Sequence, residues 1–378
     1  FLKKEEAEKA IEHYEKAKEF MSAAKQDERK IQQLDDRIES IKKSPLFLKK
    51  NEEALVVNLE SLVSTGQKTK AIAKLQELEE IYFQWKRMDK VVETIQKTMT
   101  LLEEIDDKAS AGVCYANLAG IYLQMSTEGQ PEKVNEAETY FKKALEAIGD
   151  SDKRRNSYLL GSLGNIYLNQ NKLELAWENF EKSLKIMQEL GDNLGEARGY
   201  ANLGNVRGLQ KNWDAAEEQY LRSLELMEKN ENRPGIAQQC ESLGDIYLKK
   251  EEFDKAEDNF MRASDLYEEM KEQISVQEVQ DKLMFIFSQP KYLENRKKAI
   301  REGLKKPEAE KDPKLKLMLL NDLGNVFFMS SNWDEAAEVA YETITLHEKS
   351  GDKTALGGAY GNLGSILMQK EDFKGAEE

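Results

Sequence analysis

Amide side chains return along this chain at a fixed interval. Asn165 and Asn205 stand 40 residues apart, Asn325 follows 120 further on, and Asn202 and Asn362 are separated by 160. A primary amide offers donor and acceptor together, which suits it to bidentate recognition of a peptide bond in an extended ligand. Asn is only a middling helix former, so its return in phase asks for a reason: ligand contact, bracing of a neighbouring repeat, or plain solvation. Catalytic residue types are sparse by comparison. His13 and His347 are the only histidines and sit in no constellation, which leaves little material for imidazole acid–base catalysis or a multi-histidine metal site. Cys114 and Cys240 lie far apart without CxxC spacing, so neither a disulfide framework nor a zinc site is expected, and a reducing, cytoplasmic compartment fits. The sequence predicts no enzyme activity, no metal and no cofactor.

Two glycine segments need a separate reading. GGAYGNLG at 357–364 has the glycine density of a phosphate loop but no strand before it, and GDKT at 351–354 lacks the upstream glycine of a nucleotide-binding loop. Carboxylates such as Glu268, Glu269 and Glu272 read as solvated helix faces. The cations Arg296, Lys297, Lys298, Arg301, Lys305 and Lys306 are concentrated in one stretch, as a solvated face or a contact for an acidic partner. Overall, 56 basic against 71 acidic residues leave a net charge of -15, which opposes nonspecific attraction to nucleic acid or anionic membrane. The expected partner is a protein or peptide, neutral to basic where it touches. No apolar run is long enough to span a bilayer, so no membrane insertion is expected.

The elements that carry the amides emerge from self-similarity. SLGNIYL at 162–168, NLGNVRG at 202–208, SLGDIYL at 242–248 and DLGNVFF at 322–328 repeat with a period of 40 residues or a multiple of it. Leu163, Leu203, Leu243, Leu323 and Leu363 each precede a glycine, and 13 residues after each stands Ala176, Ala216, Ala256, Ala336 or Ala376. In three of these five copies an aromatic follows four residues later, as Phe180, Tyr220 and Phe260. Leu, Gly and aromatic at i, i+1 and i+4 share one face of a first helix, A. Ala, aromatic and a small residue at i, i+4 and i+7 mark a second, B. Leu173, Trp213, Phe253, Trp333 and Phe373 fall where helix B should begin.

These motifs resemble the tetratricopeptide repeat, with Leu-Gly and Tyr in helix A and Ala, aromatic, Ala in helix B. The usual period is about 34 residues; the longer one is similar to kinesin light chains, spindle-orientation adaptors and bacterial peptide-sensing regulators. The resemblance implies an all-α fold, a right-handed superhelical solenoid of antiparallel helix pairs, across residues 1–378. Within it, 1–17 read as a partial repeat and 18–75 as a degenerate helical region. Residues 76–272 read as well-formed repeats with an insertion near 126–135, 273–312 as a degenerate repeat turning near Pro290, and 313–378 as repeats with the last one truncated. Phe1 enters mid-repeat, since 1–17 align with 247–263, and the solenoid is expected to continue beyond both ends.

In the family, helix A lines a concave groove. Positions 5 and 1 before each Leu, and 2 and 6 after it, form a polar stripe there. The resemblance therefore places Asn117, Asn165, Asn169, Arg198, Asn202, Asn205, Gln238, Asp245, Asn325 and Asn362 on the peptide-binding surface. Tyr158, Ser162, Leu209, Ser242, Lys249, Asp322 and Ser365 complete the stripe. It is dominated by amides with Arg198 as its main cation, unlike the lysine-rich clamps that hold acidic carboxyl termini. Arg207 departs from the pattern by standing where the family has Tyr. The expected function is a non-catalytic scaffold or adaptor that binds a peptide or helical segment. The alternatives are a structural spacer within a large assembly and a helical signalling regulator.

Overall fold

The computed structural model describes residues 4–23 and 28–370, and their regular structure is entirely helical. Phe1, Phe373 and Ala376 lie outside the described residues. The chain divides into two compact units, 1–190 and 191–378. Unit 1 holds α1 (Lys4–Ala23), α2 (Glu28–Lys42), α3 (Pro45–Ser64), α4 (Lys68–Gln84), α5 (Met88–Glu104), α6 (Lys108–Thr127), α7 (Lys133–Ile148), α8 (Lys153–Asn169) and α9 (Leu173–Leu190). Unit 2 holds α10 (Asn193–Leu209), α11 (Trp213–Lys229), α12 (Arg233–Lys249), α13 (Phe253–Met270), α14 (Gln273–Phe287), α15 (Pro290–Leu304), the single turn α16 (Pro307–Lys311), α17 (Pro313–Met329), α18 (Trp333–Ser350) and α19 (Lys353–Gln369). Within each unit, short turns fold successive helices back on one another.

Local chemistry sets the helix starts. In unit 2 the backbone N–H of Gly195, Ala215 and Gly235 donates to the side chains of Asp192, Asn212 and Asn232, each satisfying an end group the helix itself leaves unpaired. Pro290 occupies the first turn of α15, where its missing N–H is harmless. Trp213, Phe253 and Trp333 open α11, α13 and α18, so the apolar residue ten after each Leu plugs the start of helix B.

The core of unit 2 is a continuous file of Leu, Ala and aromatic side chains running from Ala197 to Leu367. Helix-A glycines in it lie close against helix-B rings. A Cβ on Gly204 would stand 2.7 Å from the Tyr220 ring, and one on Gly244 would stand 2.6 Å from the Phe260 ring. The same arrangement in unit 1 puts Gly164 against Phe180. The pair α17–α18 differs, since a Cβ on Gly324 would meet nothing nearer than Val339 Cγ1 at 3.6 Å. Gly244→Ala should therefore destabilise the chain by about 1 to 3 kcal/mol of overpacking, less what helix propensity returns. Gly324→Ala should instead gain on the order of 0.5 to 1 kcal/mol. Urea melts of the two variants test this, and equal midpoints would mean that the rings do not set the packing.

Successive pairs are tied by a second periodic contact. The Tyr247 hydroxyl of α12 donates to Glu217 of α11 at 2.8 Å. In unit 1, Tyr82 donates to Glu52 and Tyr167 to Glu138 in the same way. Burial and the carboxylate partner push the Tyr247 phenol up to about 12. In the degenerate pair α14–α15, helix A carries Phe287 with no hydroxyl. The Tyr292 ring of α15 lies tilted against it at 5.7 Å, and its hydroxyl supplies the missing donor to Glu257 at 2.9 Å. At the following junction the guanidinium of Arg301 lies 5.5 Å over the Phe327 ring, a cation–π contact in place of the phenol–carboxylate pair. α14 packs chiefly on α13, and α15 chiefly on α17.

Candidate functional site

Arg198, Asn205, Gln238, Asn325 and Asn362 are exposed on the helix-A face of unit 2, and Asn202 and Asp245 are half-buried there. The position before Leu283 meets the position two after Leu243, on the preceding helix A, in space. Lys282, one residue before Leu283 on α14, places its amine 2.8 Å from Asp245 and 2.8 Å from Glu241 of α12. Burial opposes the charge of Lys282, yet the hydrogen bonds from Asp245 and Glu241 outweigh it, and the amine titrates above its ordinary value. Burial also raises the Asp245 carboxyl, and Lys282 offsets only part of that rise. Lys282 was missed in the sequence because its copy lacks the Gly marker, although its phase relative to Leu283 would have found it.

The amides are not equivalent. Asn205 Oδ1 accepts the Tyr220 hydroxyl at 2.6 Å, so this residue braces the α10–α11 pair with half of its amide. Burial pushes the Tyr220 phenol up to about 12. Arg198, Asn202 and Gln238 make no side-chain hydrogen bond among the described residues. Asn325 and Asn362 come together around a cavity of about 270 Å³. Leu320, Ala336, Thr343 and Ile366 are its buried walls, while Asn325, Phe328, Asn362 and Ser365 are exposed at its mouth.

In unit 1, Asn117 lines a wider cleft of about 440 Å³ with Glu79, Phe83, Arg155 and Tyr158. Phe83 and Tyr158 are 60% and 65% exposed, an unusual display for rings. Asn165 and Asn169 are exposed on α8 and line neither cavity. The basic stretch of α15 is partly committed within the fold. Arg296 reaches Glu257 at 3.6 Å, Lys297 pairs with Glu294, and Arg301 covers Phe327. Arg207 donates to the side-chain oxygen of Gln210 at 3.0 Å.

An array of helix pairs whose helix-A face carries exposed amides and open cavities defines a helical-repeat scaffold. Residues 155–229 and 195–269 match the family model described as Tetratricopeptide repeat. Residues 155–269 thus carry tetratricopeptide repeats, a class of helical repeat that supports protein interaction. No relative was found among curated protein sequences. Among solved structures, the apo form of RapI is similar at 13% identity, with 80% of this chain and 99% of that one covered and a TM-score of 0.48. Aspartyl phosphate phosphatase F from Bacillus subtilis is similar at 14% identity, covering 88% and 92%, with a TM-score of 0.47. YrrB, a TPR protein with an unusual peptide-binding site, is similar at 16% identity, covering 59% and 97%, with a TM-score of 0.41. No helix among the described residues is long and apolar enough to cross a membrane.

Proposed function

We propose that the chain is a non-catalytic cytoplasmic adaptor that holds a peptide or helical segment of another protein along the helix-A face of unit 2. The observation that carries this reading is the row of polar side chains formed by exposed Arg198 and Gln238 and half-buried Asn202, which make no hydrogen bond within the described fold. Amides that brace a repeat find a partner inside it, as Asn205 does with Tyr220. Amides without one are available to the peptide bonds of a ligand. The net charge of -15 favours a partner that is neutral or basic at the contact.

Replacing Asn202 and Gln238 together with Ala tests the proposal. Two lost hydrogen bonds of about 0.5 to 1.5 kcal/mol each correspond to a complex about five- to 150-fold weaker. Affinity capture identifies the partner, and calorimetric titration with wild type and double variant measures the change beside a melting curve. The expected result is weakened binding at an unchanged melting temperature. Unaltered affinity with a lowered melting temperature would defeat the proposal in favour of bracing.

A further inference from the structure

The cavity between α17, α18 and α19 has the outline of something present elsewhere in the chain. In the pair α10–α11, Gly204, Asn205 and Ala216 surround Tyr220, whose ring lies on the glycine and whose hydroxyl donates to Asn205 Oδ1 at 2.6 Å. Exactly three periods later in sequence, Gly324, Asn325 and Ala336 occupy the same positions, and all three line the cavity. Only the ring is missing, because position 340 is alanine. No ring crowds Gly324 as Tyr220 crowds Gly204: the nearest neighbour of a would-be Cβ is Val339 Cγ1 in ordinary contact at 3.6 Å. The cavity opens at its mouth, and its volume of about 270 Å³ exceeds the roughly 150 Å³ of an apolar cavity that already takes up benzene.

We infer that this cavity receives a tyrosine side chain of the bound protein, its ring on Gly324, Ala336 and Val339 and its hydroxyl donating to Asn325 Oδ1. The occupant is aromatic because the walls are those that hold Phe180, Tyr220 and Phe260 in the other pairs. A phenol is favoured over a plain ring because Asn325 repeats the acceptor that Asn205 presents to Tyr220, whereas a phenylalanine would leave it without that bond, as Phe180 leaves Asn165. Asn362 and Ser365 at the mouth are placed for the peptide backbone on either side of the ring. The inference rests on the scaffold reading above, and names the residue type that the scaffold selects.

The probe is p-cresol, the tyrosine side chain alone, with toluene as its hydroxyl-free counterpart, added to the full chain and followed by methyl resonances. Saturable shifts confined to Ala336, Val339, Ala340 and Ala359 are expected, with p-cresol bound more tightly than toluene. Asn325→Leu should weaken p-cresol by about two- to twelve-fold, the value of one neutral hydrogen bond, and leave toluene unchanged. Ala340→Tyr should fill the cavity from within, raise the melting temperature and abolish both sets of shifts. Absence of saturation in the wild type, shifts that persist in Ala340→Tyr, or equal affinity for the two probes would each overturn the inference. Because no partner protein enters this experiment, its failure is distinct from failure of the Asn202 and Gln238 test.

Discussion

Ala256→Arg is expected to collapse the cooperative unfolding transition of unit 2. Ala256 is fully buried on α13, in the position that Ala216 and Ala336 hold in their own pairs. A guanidinium there adds about 1 to 3 kcal/mol of overpacking, and a buried charge without a partner adds about 3 to 5 more. Against a total stability of about 5 to 15 kcal/mol, this is enough to unfold much of the population. Loss of one pair also removes an interface from each neighbour, so the effect spreads along the array. The natural counterpart shows what accommodation demands. Arg296 stands at the same position in the degenerate pair, where it is half-exposed and reaches Glu257, and there α15 packs chiefly on α17. Chemical denaturation reads the outcome, and an unchanged midpoint would place Ala256 at the surface.

Phe260→Ala should cost about 3 to 5 kcal/mol. The ring is completely buried and lies against Gly244 so closely that it substitutes for a side chain there. Its removal would open in the α12–α13 pair the kind of space that Ala340 leaves in α17–α18, beneath the Lys282 amine that lies 5.3 Å over the ring. Calorimetric melting of the variant gives the magnitude. A loss under about 1 kcal/mol would require the flanking helices to close over the gap, and the Gly244→Ala substitution should then become harmless.

The repeat was legible because its markers are steric. Leu, Gly, Ala and the aromatic are each confined to a narrow size range by a neighbouring helix, so they recur with little tolerance and reveal the period. The site was legible only in outline, because a polar stripe can be phased without learning what each amide holds. Asn205 and Asn325 carry the same residue at the same phase, yet one accepts from Tyr220 and the other lines a cavity. That difference originates at position 340, on the other helix of the pair. The alanine could be read from the sequence, but the volume it leaves depends on Gly324, Val339 and α19 together. Lys282 escaped for the opposite reason, since the copy that carries it has lost the glycine by which the phase was tracked.

The seams between helix pairs make the modules of unit 2 non-interchangeable. A phenol meets a carboxylate between α11 and α12, the phenol has migrated to the second helix between α13 and α15, and a guanidinium covers a plain ring between α15 and α17. Transplanting residues 313–350 to follow 193–230 would set the Phe327 ring against Glu217, a carboxylate then deprived of its donor. Unequal recombination that duplicated or reordered these segments would create mismatched joints even though every helix kept its own fold. The order of modules is thus encoded in their edges, much as teeth key the pieces of a lock, and lengthening of such an array is tolerated only where the new edge fits the old one.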